Sequence, residues 1–457
     1  MESSIIRSES SSKALLKPPS TPPLQPLLHL SDIRYDLPNY MLNLRQKYGT
    51  LVRIHSVLRK VYFVNEPEFI QTILVSKGSN FGKDRVLHML RDYVLGHGLL
   101  TNEGESHKRQ RKLLAPAFRK KHIASYAEAM VEYSERMASE WNEGDTVDIA
   151  NEMMRLTLGI VAKTLFDADV DDDADKIGDA LSHLMEYFPW LVGPLASLRL
   201  RIPSPSRQRF FDSMHDIDET VLRIIKEHRE DPSKDGSLLS LLLKARYEDD
   251  GSGMTDQQVR DEAITLFLAG HETTANALAW SWFLLGQHPE QWDRLVEEVD
   301  AVWEQDLEPY ERFKKLEYTR HIFAESMRLF PPAHMIGRRA LDSFALGPYQ
   351  IPIGAMVLMS PYVMHRDPRY WEQPDAFRPE RWEDGSTDDL PKFAYFPFGG
   401  GSRVCIGEHF AWMEGVLCLA TLARQWRPKL VPGQVVEQQA SITLRPKDGV
   451  MVKLERR

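Results

Sequence analysis

The chain has 457 residues, 42% of them hydrophobic, enough for two or three ordinary domains or one unusually large one. Its 57 lysines and arginines stand against 66 aspartates and glutamates, a net charge of −9, which argues against a nucleic-acid partner, since such a domain is usually basic. The two cysteines, Cys405 and Cys418, exclude a disulfide framework and point to a reducing compartment, the cytoplasm.

Residues 1–27 are rich in Ser and Pro and poor in core-forming side chains, which predicts a flexible N-terminal segment running into polyproline at Pro18, Pro19, Pro22, Pro23 and Pro26. This stretch has neither a membrane-length apolar run nor a signal-peptide core, so no integral membrane segment is expected; Glu2 and Glu9 speak against a transit peptide. A short helix is predicted from Pro38 to Gly49, two strands within LVRIHSVLRKVYFV, and another helix in EPEFIQTILVS. From about Gly104 to Phe330 apolar residues recur at three- and four-residue spacing, which predicts a large helical body. Its longest helix should run from Asp256 to about Gln287, apolar on most faces and therefore crossing the interior. Short strands are expected between Ala333 and Val357 and again after Pro432. With no internal repeat, the architecture expected is mainly α with a small β-rich lobe.

Four motifs stand out against this background. Ala269-Gly270-His271-Glu272-Thr273-Thr274 puts a polar cluster in the middle of the longest helix, where burial is costly. Threonine often back-bonds a helix carbonyl for structural reasons alone, and a zinc-protease pattern fails because Ala275 stands where the second histidine belongs. Glu325 and Arg328 share one face of a helix, a spacing that by itself describes a solvated ion pair. Pro379-Glu380-Arg381-Trp382 follows. Last, Phe398-Gly399-Gly400-Gly401-Ser402-Arg403-Val404-Cys405-Ile406-Gly407 presents one cysteine at the mouth of a helix, where free N–H groups and the helix dipole favour a thiolate. Taken by residue type alone, Cys405 is equally a small buried hydrophobe after a turn, as Cys418 is on its apolar helix. The acidic run that starts at Asp167 is no calcium loop, since Asp172 stands where the glycine belongs and Gly178 where the glutamate belongs.

In this order and register the four motifs resemble those of the cytochrome P450 superfamily, of soluble bacterial type, over nearly the whole chain from about residue 30. The resemblance implies one triangular haem-thiolate monooxygenase domain at 28–457, rather than two or three. It assigns Cys405 to the iron of haem b, with Phe398, Gly399 and Gly407 shaping the ligand loop. Ala269 and Gly270 would leave room for oxygen, with Thr273 hydrogen-bonding it and Glu272 relaying protons. Glu325, Arg328 and Arg381 become a buried structural network, and His107, Arg111, Arg338 and Arg403 donors to the haem propionates; many family members carry Trp at the place of His107. The pocket implied is lined by Val86, Leu87, Leu90, Tyr93, Val94, Phe188, Leu266, Ala269, Ala333 and Ile336, which suits a hydrophobic terpenoid, fatty acid or steroid-like substrate.

The same resemblance implies O2 as co-substrate, a monomer, and electrons from a ferredoxin or flavodoxin with its reductase. The basic stretch Lys108, Arg109, Arg111, Lys112, Arg119, Lys120 and Lys121 is the expected docking face for such an acidic donor. Two alternatives stay open at this stage: a peroxide-driven peroxygenase, which would not need Glu272 and Thr273, and a non-catalytic haem-binding sensor.

Overall fold

The computed structural model describes residues 16–23, 25–56, 59–167, 180, 183, 184, 187, 201–231, 237–383 and 385–457. Phe188 of the expected pocket, and the acidic run beyond Asp167, lie outside the described residues. The helices that frame the site are α1 (Leu37–Tyr48), α2 (Gly104–Leu114), α3 (Ala127–Glu140), α4 (Ile149–Phe166), α5 (Pro205–Glu230), α6 (Asp256–Gln287), α7 (Pro289–Trp303), α8 (Glu317–Leu329) and α9 (Glu408–Ala423).

Helix α6 occupies the expected residues because its ends are written locally. Thr255 and Gln258 close a reciprocal capping box after the Gly-Ser-Gly break, and His288-Pro289 ends it by starting the next helix. Around it pack α4, α5, α8 and α9, burying α6 on nearly every face. Trp280 stacks on Phe330 with ring centroids 4.0 Å apart, a contact worth about 1 kcal/mol beyond its area. Trp141, Trp282 and Trp426 meet edge to face in the same core.

Among the described residues, twelve strands form the minor lobe and its satellites. β1 (Leu51–Ile54) and β2 (Val61–Val64) are the two strands of the LVRIHSVLRKVYFV segment. They join β8 (Met356–Met359), β5 (Ile336–Ala340) and β3 (Phe81–Gly82) in a sheet of order β1-β2-β8-β5-β3. The β3 register pairs Phe81 with Ala340 and Gly82 with Arg339, which carries the next residue, Lys83, to the neighbourhood of Arg338. β6 (Phe344–Leu346) pairs with β7 (Tyr349–Ile351), and β10 (Gln438–Ala440) with β11 (Leu444–Pro446), as small hairpins. β4 (Thr146–Asp148) and β9 (Trp426–Leu430) flank β12 (Met451–Arg456). β9 begins before Pro432, earlier than the sequence pattern suggests, because Pro428 and two charges mask its alternation.

From Leu16 the N-terminal stretch is already paired. Pro19 O accepts from Arg53 N at 2.7 Å and Leu16 N donates to Pro348 O at 2.7 Å. An extended proline run leaves its carbonyls free for such edge contacts, so the loose tail expected through residue 27 differs here from Leu16 onward. Among the described residues no helix is long and apolar enough to cross a membrane.

Candidate active site

Cys405 sits three residues ahead of α9 in a loop held by its own backbone. Its N–H donates to Phe398 O at 3.0 Å, and Gly399 N–H donates to Phe396 O at 3.0 Å. Gly399 and Gly401 have φ of +74° and +71°, a region L side chains avoid. A Cβ on Gly401 would lie 1.9 Å from Leu74 O, so this glycine is required by close backbone approach as well.

Cys405 is accessible, while Cys418, on α9 itself, is buried in the core. Enough protein surrounds the Cys405 thiol for burial to push it up to about 11, opposed by the Gly407 N–H. The accessibility is therefore that of an internal slot. Unaided, the thiol is neutral at pH 7; coordination to a metal ion is what would remove its proton.

Helix α6 carries a second accessible stretch. Leu268, Ala269, Gly270 and Thr273 are accessible in the middle of a helix that is otherwise buried, Ala269 most of all. The Thr273 hydroxyl donates to Ala269 O at 2.8 Å, which turns its lone pairs toward the open side. Gly270 also has a packing role. A Cβ there would meet Val161 Cγ2 at 3.2 Å, so its smallness lets α4 and α6 pack closely. Glu272 is buried: its Oε1 accepts from the Thr443 hydroxyl at 2.6 Å, and burial raises its pKa.

A cluster of cations lies beside the slot. Arg338 and His107 are buried, and Arg111 and Arg403 half-buried. Lys83, absent from the sequence-derived set, joins them at 4% exposure. Arg403 donates to Asn102 O and Arg338 to Gly337 O, both at 2.9 Å, but among the described residues none of Lys83, Arg111, Arg338 and Arg403 forms an ion pair. Burial and then the Arg338 and Arg403 charges hold the Lys83 ammonium well below its usual pKa. Burial and the Arg403 and Lys83 charges bring His107 to about 4, so it is a neutral donor. Asp84 and Glu103 answer these charges only through their field, without an ion pair, and buried cations short of close anions are expensive. This donor set asks for a doubly charged anion, and the two propionates of a haem fit it, just as the accessible Cys405 fits the iron.

Behind the ligand loop the expected network is complete. Glu325 and Arg328, both fully buried, meet through two 2.9 Å hydrogen bonds, and Arg381 Nε adds a third to Glu325 at 2.9 Å. Arg328 also donates to the carbonyls of His365, Pro374 and Ala376. His365 then accepts from Phe396 N–H at 2.9 Å through Nε2. The charge network is thus wired through one histidine to Phe396, two residues ahead of the Cys405 loop.

Of the expected pocket residues, Leu90, Val94 and Leu266 are buried, Val86, Leu87, Tyr93 and Ile336 partly buried, and Ala269 and Ala333 exposed. Leu90, Val94 and Leu266 lie in the main core cluster, with Val86, Leu87 and Tyr93 packed against it, whereas Ile336 packs on the sheet cluster. The basic stretch on α2 is largely answered by acids: Lys108 pairs with Glu105, Arg109 with Asp249 and Asp250, and Lys112 with Glu248. A groove of about 400 Å³ beside it is lined by Lys120, Lys314, Arg320, His409 and Trp412 among others.

A mainly helical body with a lateral sheet, an accessible cysteine ahead of a buried helix and an anion-hungry cation cluster together define a haem-thiolate protein. The chain belongs to the cytochrome P450 family, whose sequence model matches residues 18–454. It is 36% identical over 400 residues to cyclooctatin synthase of Streptomyces melanosporofaciens, covering 87% of each chain. It is 31% identical to pentalenene oxygenase of Streptomyces avermitilis, covering 89% of this chain and 90% of that one. Among solved structures, retinoic-acid-bound cyanobacterial CYP120A1 superposes with a TM-score of 0.85 at 25% identity, covering 97% of this chain and 100% of that one. The protein is a haem-dependent monooxygenase, using O2, a hydrophobic substrate and redox partners.

Proposed function

We propose that this monooxygenase carries haem b and hydroxylates a terpenoid with electrons from a ferredoxin or flavodoxin and its reductase. The carrying observation is a combination of three features: an accessible Cys405 ahead of α9, an accessible stripe of Ala269 and Thr273 on the otherwise buried middle of α6, and buried or half-buried cations near Cys405 that form no ion pair among the described residues. Cys405 would supply the thiolate, and Lys83, Arg111, Arg338 and Arg403 with His107 would hold the propionates. When bound, the haem supplies the iron at which O2 is reduced and its O–O bond broken. Thr273 offers its hydroxyl on the open face of α6, and Glu272 is the buried acid that stores the proton to be delivered there.

The terpenoid class is preferred over fatty acid or steroid because pentalenene oxygenase is named for oxygenating pentalenene, and a second relative, from Streptomyces melanosporofaciens and 33% identical over 393 residues and 84% of each chain, is named cyclooctat-9-en-7-ol 5-monooxygenase. A pocket lined by Tyr93, Leu87, Leu266 and Ile336 suits such a substrate. For the electron donor, the ion pairs on α2, and that of Lys314 with Glu311, leave Lys120 and Arg320 as the open positive charge of the groove, and an acidic partner docks there. The proposed setting is cytoplasmic, with residues 28–457 acting as one monomeric domain.

The reduced protein should give a strongly red-shifted Soret band with carbon monoxide, absent in Cys405→Ala. Substrate-binding spectra with a panel of terpenes, fatty acids and steroids should respond to terpenes first. Thr273→Ala should divert reducing equivalents to peroxide; an unchanged product yield per reductant in that variant would favour a peroxide-driven enzyme instead.

A further inference from the structure

Glu272 and Thr273 are consecutive on α6, so their side chains leave the helix about 100° apart. Thr273 is on the open stripe, and Glu272 faces the β10–β11 hairpin. There its Oε1 accepts from Thr443 Oγ1 at 2.6 Å, and the same hydroxyl accepts from Asn276 Nδ2, one turn further along α6, at 3.1 Å. Asn276, Thr443 and Glu272 thus form a buried relay in which the amide polarises the hydroxyl, making it a stronger donor to the carboxylate.

The hairpin end that offers Thr443 is itself pinned. Ser441 N–H donates to Thr443 O at 2.9 Å, Leu444 N–H to Pro332 O at 3.0 Å, and Trp280 Nε1–H to Leu444 O at 3.1 Å. Thr443 is therefore a fixed point against which the longer, rotatable Glu272 side chain rests.

We propose that Thr443, supported by Asn276, is a positioning residue that parks Glu272 on the hairpin, so that proton delivery toward Thr273 requires this one hydrogen bond to open. The proposal rests on the monooxygenase reading above for its catalytic consequence, but the parking itself is a property of the chain. Arg445 is the charged neighbour whose field reaches Glu272; it and the Thr443 hydroxyl favour the ionised form, while burial opposes it.

The test is an infrared titration of the Glu272 carboxyl in resting holoprotein, the band being identified by its loss in Glu272→Gln. Thr443→Val should move its midpoint upward by about one pH unit, since a hydrogen-bond donor to the ionised form is removed; Thr443→Ser should restore the wild-type midpoint. Asn276→Ala, which leaves the hydroxyl in place, should shift it the same way by less, and provides the reading if Thr443→Val does not fold. During turnover, the pH profile of product formed per reductant consumed should move upward with the band. A midpoint unmoved in both Thr443→Val and Asn276→Ala overturns the parking. A moved midpoint with a stationary product profile overturns its control of proton delivery. Failure of the monooxygenase reading would show separately, as a wild-type protein without the thiolate carbon monoxide band, and leaves the infrared result readable.

Discussion

Removing the Glu325 carboxylate tests the network behind the ligand loop most directly. Its two oxygens receive Arg328 Nε and Nη2, Arg381 Nε, Trp382 Nε1 and the Arg378 N–H, all at 2.9 to 3.0 Å. Glu325→Ala leaves two buried guanidinium groups facing each other across a hole. Breaking a buried pair in this way costs about 3–5 kcal/mol, a large part of the roughly 5–15 kcal/mol that holds an ordinary domain folded. The loss is directed at the loop, because Arg328 anchors His365 O and His365 anchors Phe396 N–H. Haem-to-protein ratio after purification, together with urea unfolding, is the assay. Glu325→Ala should retain less than about a tenth of wild-type haem by this magnitude, and Glu325→Gln, which keeps one acceptor oxygen but loses the charge and turns an amide N–H toward the remaining donors, should fall between. Wild-type haem content and an unchanged unfolding midpoint in Glu325→Ala would refute the reasoning.

Three further outcomes follow from the geometry. Gly401→Ala should lower stability and haem content together, by about 3 kcal/mol or more, because the residue combines a left-handed φ with a Cβ position 1.9 Å from Leu74 O; unfolding curves decide it. Lys83→Met should speed haem loss to apomyoglobin several-fold while raising the stability of the haem-free protein, since it deletes a repelled cation. An unchanged release rate would remove Lys83 from the cofactor site. His271 and His334, both buried, are brought from 6.5 to about 4 chiefly by burial. A depressed folded pKa means the unfolded chain binds more protons between pH 6.5 and 4, so their contribution is present above pH 6.5 and lost as pH falls through 4, by up to about 3 kcal/mol each. Urea titrations across that interval should show stability falling toward acid, with a shallower fall in His271→Asn.

What could be seen in the sequence was what is written locally. Helix α6 was legible because Thr255, Gln258 and Pro289 mark its ends within a few residues of its apolar run, and the ligand loop because glycines and Cys405 share ten consecutive positions. What was hidden depends on contacts between distant residues. Lys83 reaches the cation cluster only through the β3–β5 register, and nothing in its own neighbourhood marks it. The resting place of Glu272 depends on Thr443, 171 residues away. The basic run on α2 read as one patch because its answering acids, Glu248, Asp249 and Asp250, come from a loop more than a hundred positions later. Gly270 has a further reason in α4 that its own motif does not contain.

With the propionates assigned to the cations around Lys83 as proposed, cofactor capture is coupled to folding. A chain that has not yet met its cofactor keeps like charges together in poorly hydrated surroundings, and that strain is relieved when two carboxylates arrive between them. Ligand linkage then sets the folded population by cofactor supply as well as by sequence. In a cell short of haem, the empty protein would then be the less stable form, and its abundance would follow how much haem the cell can spare.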